Sequence, residues 1–239
     1  VPGVPEYHLS PEVVLVGLLP PLLYSAAVQT SLLDYRKLRG PITLLSVGLV
    51  IFTLMTTWFT GRRILSARLA EGGIPAETFV KELGSGRVHR VRGTAVFLTR
   101  QTEGIPTALL HNIKHNKIVH ERVVLLSVAI DETSHISADE RYEWSELGHG
   151  VYRLVLHFGF MEDPNLPEVL GSIPGPVSFE PMATSYFLGR ETLIPSTDPG
   201  MALWREHLFA WMTRNASSAA TFFSLPATQV IELGAQVRM

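Results

Sequence analysis

The chain has 239 residues, a formal net charge of −2, 46% hydrophobic residues and no cysteine. The balanced charge excludes the basic footprint of a nucleic-acid binder, and the missing thiols exclude disulfides, thiol catalysis and thiolate metal sites. The length allows one sizeable globular core plus a short membrane part, and the apolar excess sits in the first quarter.

In chain order, residues 1–12 (VPGVPEYHLSPE) begin without Met or a basic stretch, so they do not read as a signal peptide and the chain reads as starting mid-protein. Residues 13–28 (VVLVGLLPPLLYSAAV) are uncharged but broken by Pro20 and Pro21, which remove backbone donors and kink a helix. Such a segment spans a membrane only with neighbours that satisfy the freed carbonyls. Residues 42–60 (ITLLSVGLVIFTLMTTWFT) carry no charge and match the length of about 20 residues that a hydrocarbon core of about 30 Å needs. Trp58 and Phe59 suit an interface, and Arg62 and Arg63 follow as a basic stop. Arg36, Lys37 and Arg39 precede the same segment, so charge alone gives it no orientation.

Residues 64–83 predict a helix, a break at Gly72-Gly73-Ile74-Pro75, and a second helix with Pro75 at its first position. Glu77 lies near the positive end of that helix dipole. Beyond Gly84-Ser85-Gly86, strands and helices alternate. Strands are predicted at 94–99, 121–130, 141–147, 151–160, 185–194 and 230–237. The apolar run 121–130 reads as central and the alternating 141–147 as an edge. Helices are predicted at 106–115, 164–172 and 200–216, the last with Leu203, Trp204, Leu208, Trp211 and Met212 at helical spacing. This alternation predicts a mixed-sheet α/β domain in layers.

Chemistry-bearing residues are sparse. His111 and His115 share a helix face and His120 follows, but no acidic third ligand stands three or four residues away, so the histidines read as a polar helix end and not a metal site. Lys114, His115, Asn116 and Lys117 form a candidate anion or nucleotide site, basic groups and an amide that suit phosphate. Gly84-Ser85-Gly86 lacks the lysine of a phosphate loop. Ser134, His135 and Asp139 lack a nucleophile elbow and read as a polar loop. Glu162 and Asp163 read as a strand end and a helix start, where carboxylates cap free amides. Arg190 and Glu191 point to opposite faces of a strand, each pairing with another strand or a partner subunit. Trp204, Phe209, Trp211, Phe222 and Phe223 read as core packing under the sheet, with a dimer surface as the alternative.

Several strings resemble the KUP/HAK/KT potassium uptake family: RGTAVFLTR (92–100), ALLHNIKHNKIVHERVVLLSV (108–128), YRLVLHFGFMEDPNLPEVL (152–170), SYFLGRETLIP (185–195) and GMALWREHLFAWMTRNASSAATFFSLPATQVIELGAQV (200–237). LMTTWFTGRRIL (54–65) resembles the end of that family's last membrane helix. Residues 1–53, with LLPPLLYSAA as the most telling string, are similar instead to an early hairpin of bacterial sodium/proton antiporters. The two resemblances meet near Ile51–Leu54.

The resemblance implies three parts: a membrane hairpin or span over 1–60, a helical linker over 61–83, and a cytosolic C-terminal α/β domain over 84–239. It implies a fragment of a proton-coupled potassium symporter of the inner (plasma) membrane, multi-pass when complete, whose tail acts in regulation or oligomer assembly. The implied partners are potassium ion, proton, the lipid membrane and a second copy bound through the tail, with no cofactor and no catalytic residue. The alternatives are an antiporter-like fragment and a non-transporting fusion or assembly artefact. A cation pathway needs acidic groups within the membrane, and residues 42–60 contain none, so transport by this chain alone is not expected.

Overall fold

The computed structural model describes residues 32–71, 74–84, 88–100, 104–194 and 200–238, with Pro21, Leu23 and Tyr24. Its contacts divide the chain into two units, Val1–Thr56 and Thr57–Met239. The expected hairpin segment 13–28 lies outside the described residues apart from Pro21, Leu23 and Tyr24, which are helical.

Helix α1 runs over Leu32–Glu71, 40 residues, with Pro41 inside it. The reading that ended an apolar helix near residue 60 and began another at 64 is corrected: one helix passes through Arg62 and Arg63. Residues 61–71 contain no proline and are rich in Arg, Leu and Ala, so nothing in their side chains interrupts the backbone ladder. At 1.5 Å per residue α1 extends about 60 Å, twice the hydrocarbon thickness of about 30 Å. Within it, Lys37–Leu69 is long and apolar enough to cross a membrane, and its apolar 18-residue window has mean hydropathy 2.0 with little of that window buried. Thr53 and Thr56 donate their hydroxyls to Leu49 and Phe52 carbonyls four residues back, at 2.8 Å each, so these polar groups need no water.

The second unit continues through α2 (Ala76–Gly84), β1 (His89–Leu98), α3 (Thr107–Asn116), β2 (Ile118–Asp131), β3 (Tyr142–Gly148) and β4 (Val151–Gly159). It closes with α4 (Leu166–Ser172), β5 (Thr184–Ile194), α5 (Leu203–Arg214), α6 (Ala219–Phe222) and β6 (Val230–Arg238). The strands form one six-stranded mixed sheet in the order β3-β4-β2-β1-β5-β6. β1, β2, β4, β5 and β6 run parallel, and β3 joins β4 antiparallel at one edge. The chain winds outward from β1 to β2 and β4, then returns to the other side of β1 for β5 and β6. That reversal is the doubly wound pattern.

Alternation along the strands separates two cores. Ala95, Phe97, Val123, Leu125 and Phe187 face α2 and α3, which contribute Phe79, Val80, Leu83, Ala108 and Leu109. Val96, Val124, Leu126, Tyr186 and Leu188 face the other way, toward Leu166 and Leu170 of α4 and Phe223 beyond α6. Helices therefore cover both faces, which is why β1 and β2 read as continuous apolar runs.

β1 begins five residues earlier than the expected strand start at 94. Gly93, just before that expected start, sits in a bulge: the register shifts between Val91 and Thr94, and Gly93 takes φ +109°. A side chain there would stand 2.8 Å from the Ala183 carbonyl, so the close approach of the loop before β5 requires glycine.

Phe97 is fully buried and its ring stacks on Phe187 at 4.5 Å between centroids. Phe97→Ala should cost about 3–5 kcal/mol, read as a lower urea midpoint of the whole chain in detergent micelles.

Candidate functional site

The last turns of α1 make a close-packed contact within the second unit. Thr57, Gly61, Leu65 and Leu69 recur every fourth residue, which places them on one helix face. Leu65 is buried with Met201 and Phe209 in a third cluster, and Trp58, Ile64, Leu69, Leu193 and Val237 pack against it. This cluster joins α1 to α5 and to the ends of β5 and β6.

Gly61 and Phe209 form its centre. A Cβ on Gly61 would stand 2.5 Å from the Phe209 ring, so the absent side chain is the space the ring occupies. Phe209 is 0% exposed, and Trp58 meets it edge-on with centroids 5.6 Å apart. Glycine inside a helix costs about 1 kcal/mol relative to alanine, and burying a phenylalanine returns about 1.5–3 kcal/mol. Gly200 is packed the same way, 3.1 Å from Ile64 at its would-be Cβ.

The polar part of the joint is carried by Arg205. Its Nε donates to Thr57 Oγ1 at 3.2 Å and a terminal nitrogen donates to Thr60 Oγ1 at 3.3 Å. Thr57 is fully buried and the neighbouring Glu206 is nearly so. Arg62 lies over the Trp58 ring at 5.9 Å, so the expected basic stop also serves packing. The arrangement is mechanical: it ties the end of an apolar helix to the sheet through one ring, one guanidinium and two hydroxyls.

The sequence candidates fall elsewhere. Lys114, His115, Asn116 and Lys117 lie at the C-terminal turn of α3, where carbonyls point outward and cations complement the dipole. Asn116 is engaged, donating to Asn112 Oδ1 at 2.7 Å, and Asn112 donates to the Ile118 carbonyl at 3.2 Å. Lys117 takes the left-handed conformation, φ 59°, that ends the helix. Lys114 turns to a cavity of about 450 Å³ between α2 and α3, lined by Ile74, Phe79, Leu83 and Ile113 with Glu82 opposite in charge. The His111 and His115 rings meet edge-on at 5.9 Å, while His120 contacts Phe187. Among the described residues, no three His, Asp or Glu side chains gather as for a metal ion.

Glu162 lies at the strand end and caps a free amide there, as expected, but it does not cap α4. The cap of α4 is Asn165, whose side chain accepts from the Glu168 amide. Glu162 instead accepts from Arg141 at 2.6 Å and from the Gly159 amide at 2.8 Å, closing the loop between β2 and β3 against the end of β4. Arg141 also donates to the Ile136 carbonyl and lies over Phe158. Its guanidinium holds the Glu162 carboxyl below the ordinary carboxylate value of 4.5. His135, expected in a polar loop, stands 3.9 Å from Glu162. Beside them His157 bonds Asp131 at 3.0 Å. Arg190 pairs with Glu232 on β6 at 3.0 Å, the cross-strand pairing its position implied.

The aromatic set is only partly core. Trp204, Trp211 and Phe222 are 59%, 56% and 53% exposed, so the reading of core packing under the sheet is corrected for them. Helix α5 spends its buried stripe of Glu206, Phe209 and Ala210 on the end of α1, which leaves both tryptophans on the opposite side. Phe223 does pack in the core facing α4. Thr57, Thr60, Gly61 and Arg205 were not singled out for the joint, because Arg205 and its partners lie more than 140 residues apart and form no local motif.

Fold and joint together define a class: a doubly wound α/β domain fastened to the end of a helix that can cross a membrane. The chain belongs to the family of the K+ potassium transporter C-terminal domain, whose family model matches residues 92–239. It is 48% identical over 235 residues to a probable potassium transport system protein Kup of Erythrobacter litoralis, covering 98% of this chain and 37% of that protein. A probable potassium transport system protein Kup 2 of Rhizorhabdus wittichii is 51% identical over 197 residues, 82% of this chain and 30% of that one. A Kup relative of Myxococcus xanthus is 50% identical over 196 residues, with the same coverage. The chain thus spans about a third of the length of these relatives. The Erythrobacter alignment extends across residues 51–54, into the stretch that resembles an antiporter hairpin. No solved structure matches the chain.

Two outcomes are expected. Gly61→Ala should expel the Phe209 ring and raise amide hydrogen exchange across 203–214, and the double variant with Phe209→Leu should restore much of the protection. Burial also pushes the His120 imidazole below its ordinary 6.5. The unfolded chain therefore binds protons at higher pH than the folded chain at both groups, so stability falls as pH drops below 6.5 for His120 and again below 4.5 for Glu162. Urea midpoints measured across that range should show both losses, and Glu162→Gln should remove the lower one.

Proposed function

We propose that the chain is the closing membrane helix and cytosolic tail of a proton-coupled potassium uptake transporter of the inner membrane, and that the tail serves regulation or oligomer assembly. The joint carries this reading. The helix that is apolar enough to cross a membrane ends in Thr57, Trp58, Gly61 and Leu65, and Arg205 and Phe209 of the tail hold those residues. A shift of that helix end meets Leu193 of β5 and Val237 of β6 in the same cluster, so it acts on the sheet without an intervening loop. The names of the relatives, potassium transport system proteins, support the substrate. Potassium and protons as transported species belong to the complete transporter, since residues 42–60 carry no acidic group for a cation path. No residue is assigned a catalytic role.

A complete relative whose own tail is replaced by residues 57–239 of this chain provides the test, in cells lacking other potassium uptake. Rubidium influx should persist with the wild-type tail. Phe209→Ala in that tail should lower influx about threefold or more at an unchanged amount in the membrane. Influx indifferent to Phe209→Ala would sink the coupling.

A further inference from the structure

The joint holds α5 at one level of α1. Gly200 lies against Ile64, Met201 shares a cluster with Leu65, Arg205 donates to Thr57 and Thr60, and Phe209 fills the notch at Gly61 beside Trp58. The tail from 200 to 209 thus meets α1 within positions 57–65, about 12 Å of helix. That level contains a change of composition: Thr57, Trp58, Phe59 and Thr60 end the uncharged stretch, and Arg62 and Arg63 follow. At the end of a membrane span, aromatics followed by cations mark the boundary between hydrocarbon and headgroups.

The outer face of α5 suits that boundary. Trp204, His207, Trp211 and Arg214 recur at spacings of three and four residues, so they form one stripe. All are exposed, as is Leu203 beside them. The acidic residue of the helix, Glu206, belongs to the buried stripe, so the outer one presents rings and a cation without a carboxylate. The two indoles stand about 10 Å apart along the axis, on a helix that keeps to one level of α1 from Met201 to Phe209. Tryptophan favours such a boundary because its ring is apolar while its N–H needs a partner. Arg214, and Arg63 of α1, are exposed cations that complement lipid phosphates.

We propose that α5 is an interfacial anchor: the phospholipid bilayer surface covers the stripe from Trp204 to Arg214, with both indoles at the boundary of headgroups and acyl chains and Arg214 among the lipid phosphates. The tail is then held to the membrane twice, through the end of α1 and through α5. The inference rests on the reading of α1 as a membrane span and goes beyond it, naming lipid as the partner of the two exposed tryptophans.

The absence of cysteine gives a clean test in the full chain. The chain is placed in nanodiscs of phosphatidylethanolamine and phosphatidylglycerol that contain a nitroxide-bearing lipid as quencher. A small fluorophore is attached, in separate variants, at His207→Cys on the stripe, at Leu49→Cys on α1 and at Ser145→Cys on the exposed part of β3. The lipid should quench the labels at 207 and 49 and leave the label at 145 bright. Adding Trp204→Ser and Trp211→Ser to His207→Cys should bring quenching at 207 down to the level at 145, at an unchanged urea midpoint, because both rings lie outside the core. Quenching at 49 without quenching at 207 overturns the anchor and leaves the span. Absence of quenching at 49 overturns the span, and with it the anchor. Quenching at 207 that survives both serine substitutions undiminished also overturns the anchor. So does a label at 207 that the lipid spares but whose emission is depolarised by transfer between two labelled copies, which gives the face to a second chain.

Discussion

Phe209 can be fully buried because Gly61 offers no side chain, and the rest of the second unit is arranged around that fit. The ring fills the helix notch, Trp58 closes over it, and Arg205 reaches past it to two threonine hydroxyls. The same cluster takes in Leu193 and Val237, so the end of α1 is held against the last two strands and not against a flexible linker. The energy of this contact is divided between packing and charged hydrogen bonds. A helix end held in both ways resists sliding along its axis and rotating about it, which is what a mechanical coupling requires.

The sheet backs that contact. β1 and β2, at its centre, are covered on both faces, and their alternate residues feed two separate cores. Parallel strands buried in this way require helices between them, which explains the alternation that runs through the chain after Gly84. Winding outward to β4 and back to β5 leaves β3 and β6 as edges with different chemistry. One edge is acidic, short and bulged. The other is longer and regular, and its Val237 lies in the cluster that receives α1.

The opposite side of the domain is organised by charge. Glu162 and Arg141 close the loop between β2 and β3 onto the end of β4, with His157 and Asp131 beside them. These groups meet where β2 and β4 end, so the loop is tied to the sheet and leaves the joint to α5. The residues at the end of α3 serve a similar local purpose, since Asn112, Asn116 and Lys117 complete the turn into β2.

Sequence alone determined the classes of element. Apolar runs such as 121–130 and alternation such as 141–147 record burial on two faces or one, a local property that a linear pattern preserves. The uncharged stretch 42–60 likewise declared a helix able to cross a membrane. Family resemblance was carried by long strings that the family comparison matches over 92–239. Other features were invisible because they are relations between distant residues. β1 extends back past Gly93, which tolerates the close approach of the loop before β5, a contact with residues some 90 positions away. The tryptophans of α5 had the right spacing for a core, yet a helix has more than one face. Only the tertiary structure decided that Phe209 would be spent on Gly61, more than 140 residues earlier, leaving Trp204 and Trp211 outside. A glycine carries no mark of which side chain will occupy its space, so the joint could be read only after the chain had folded back on itself.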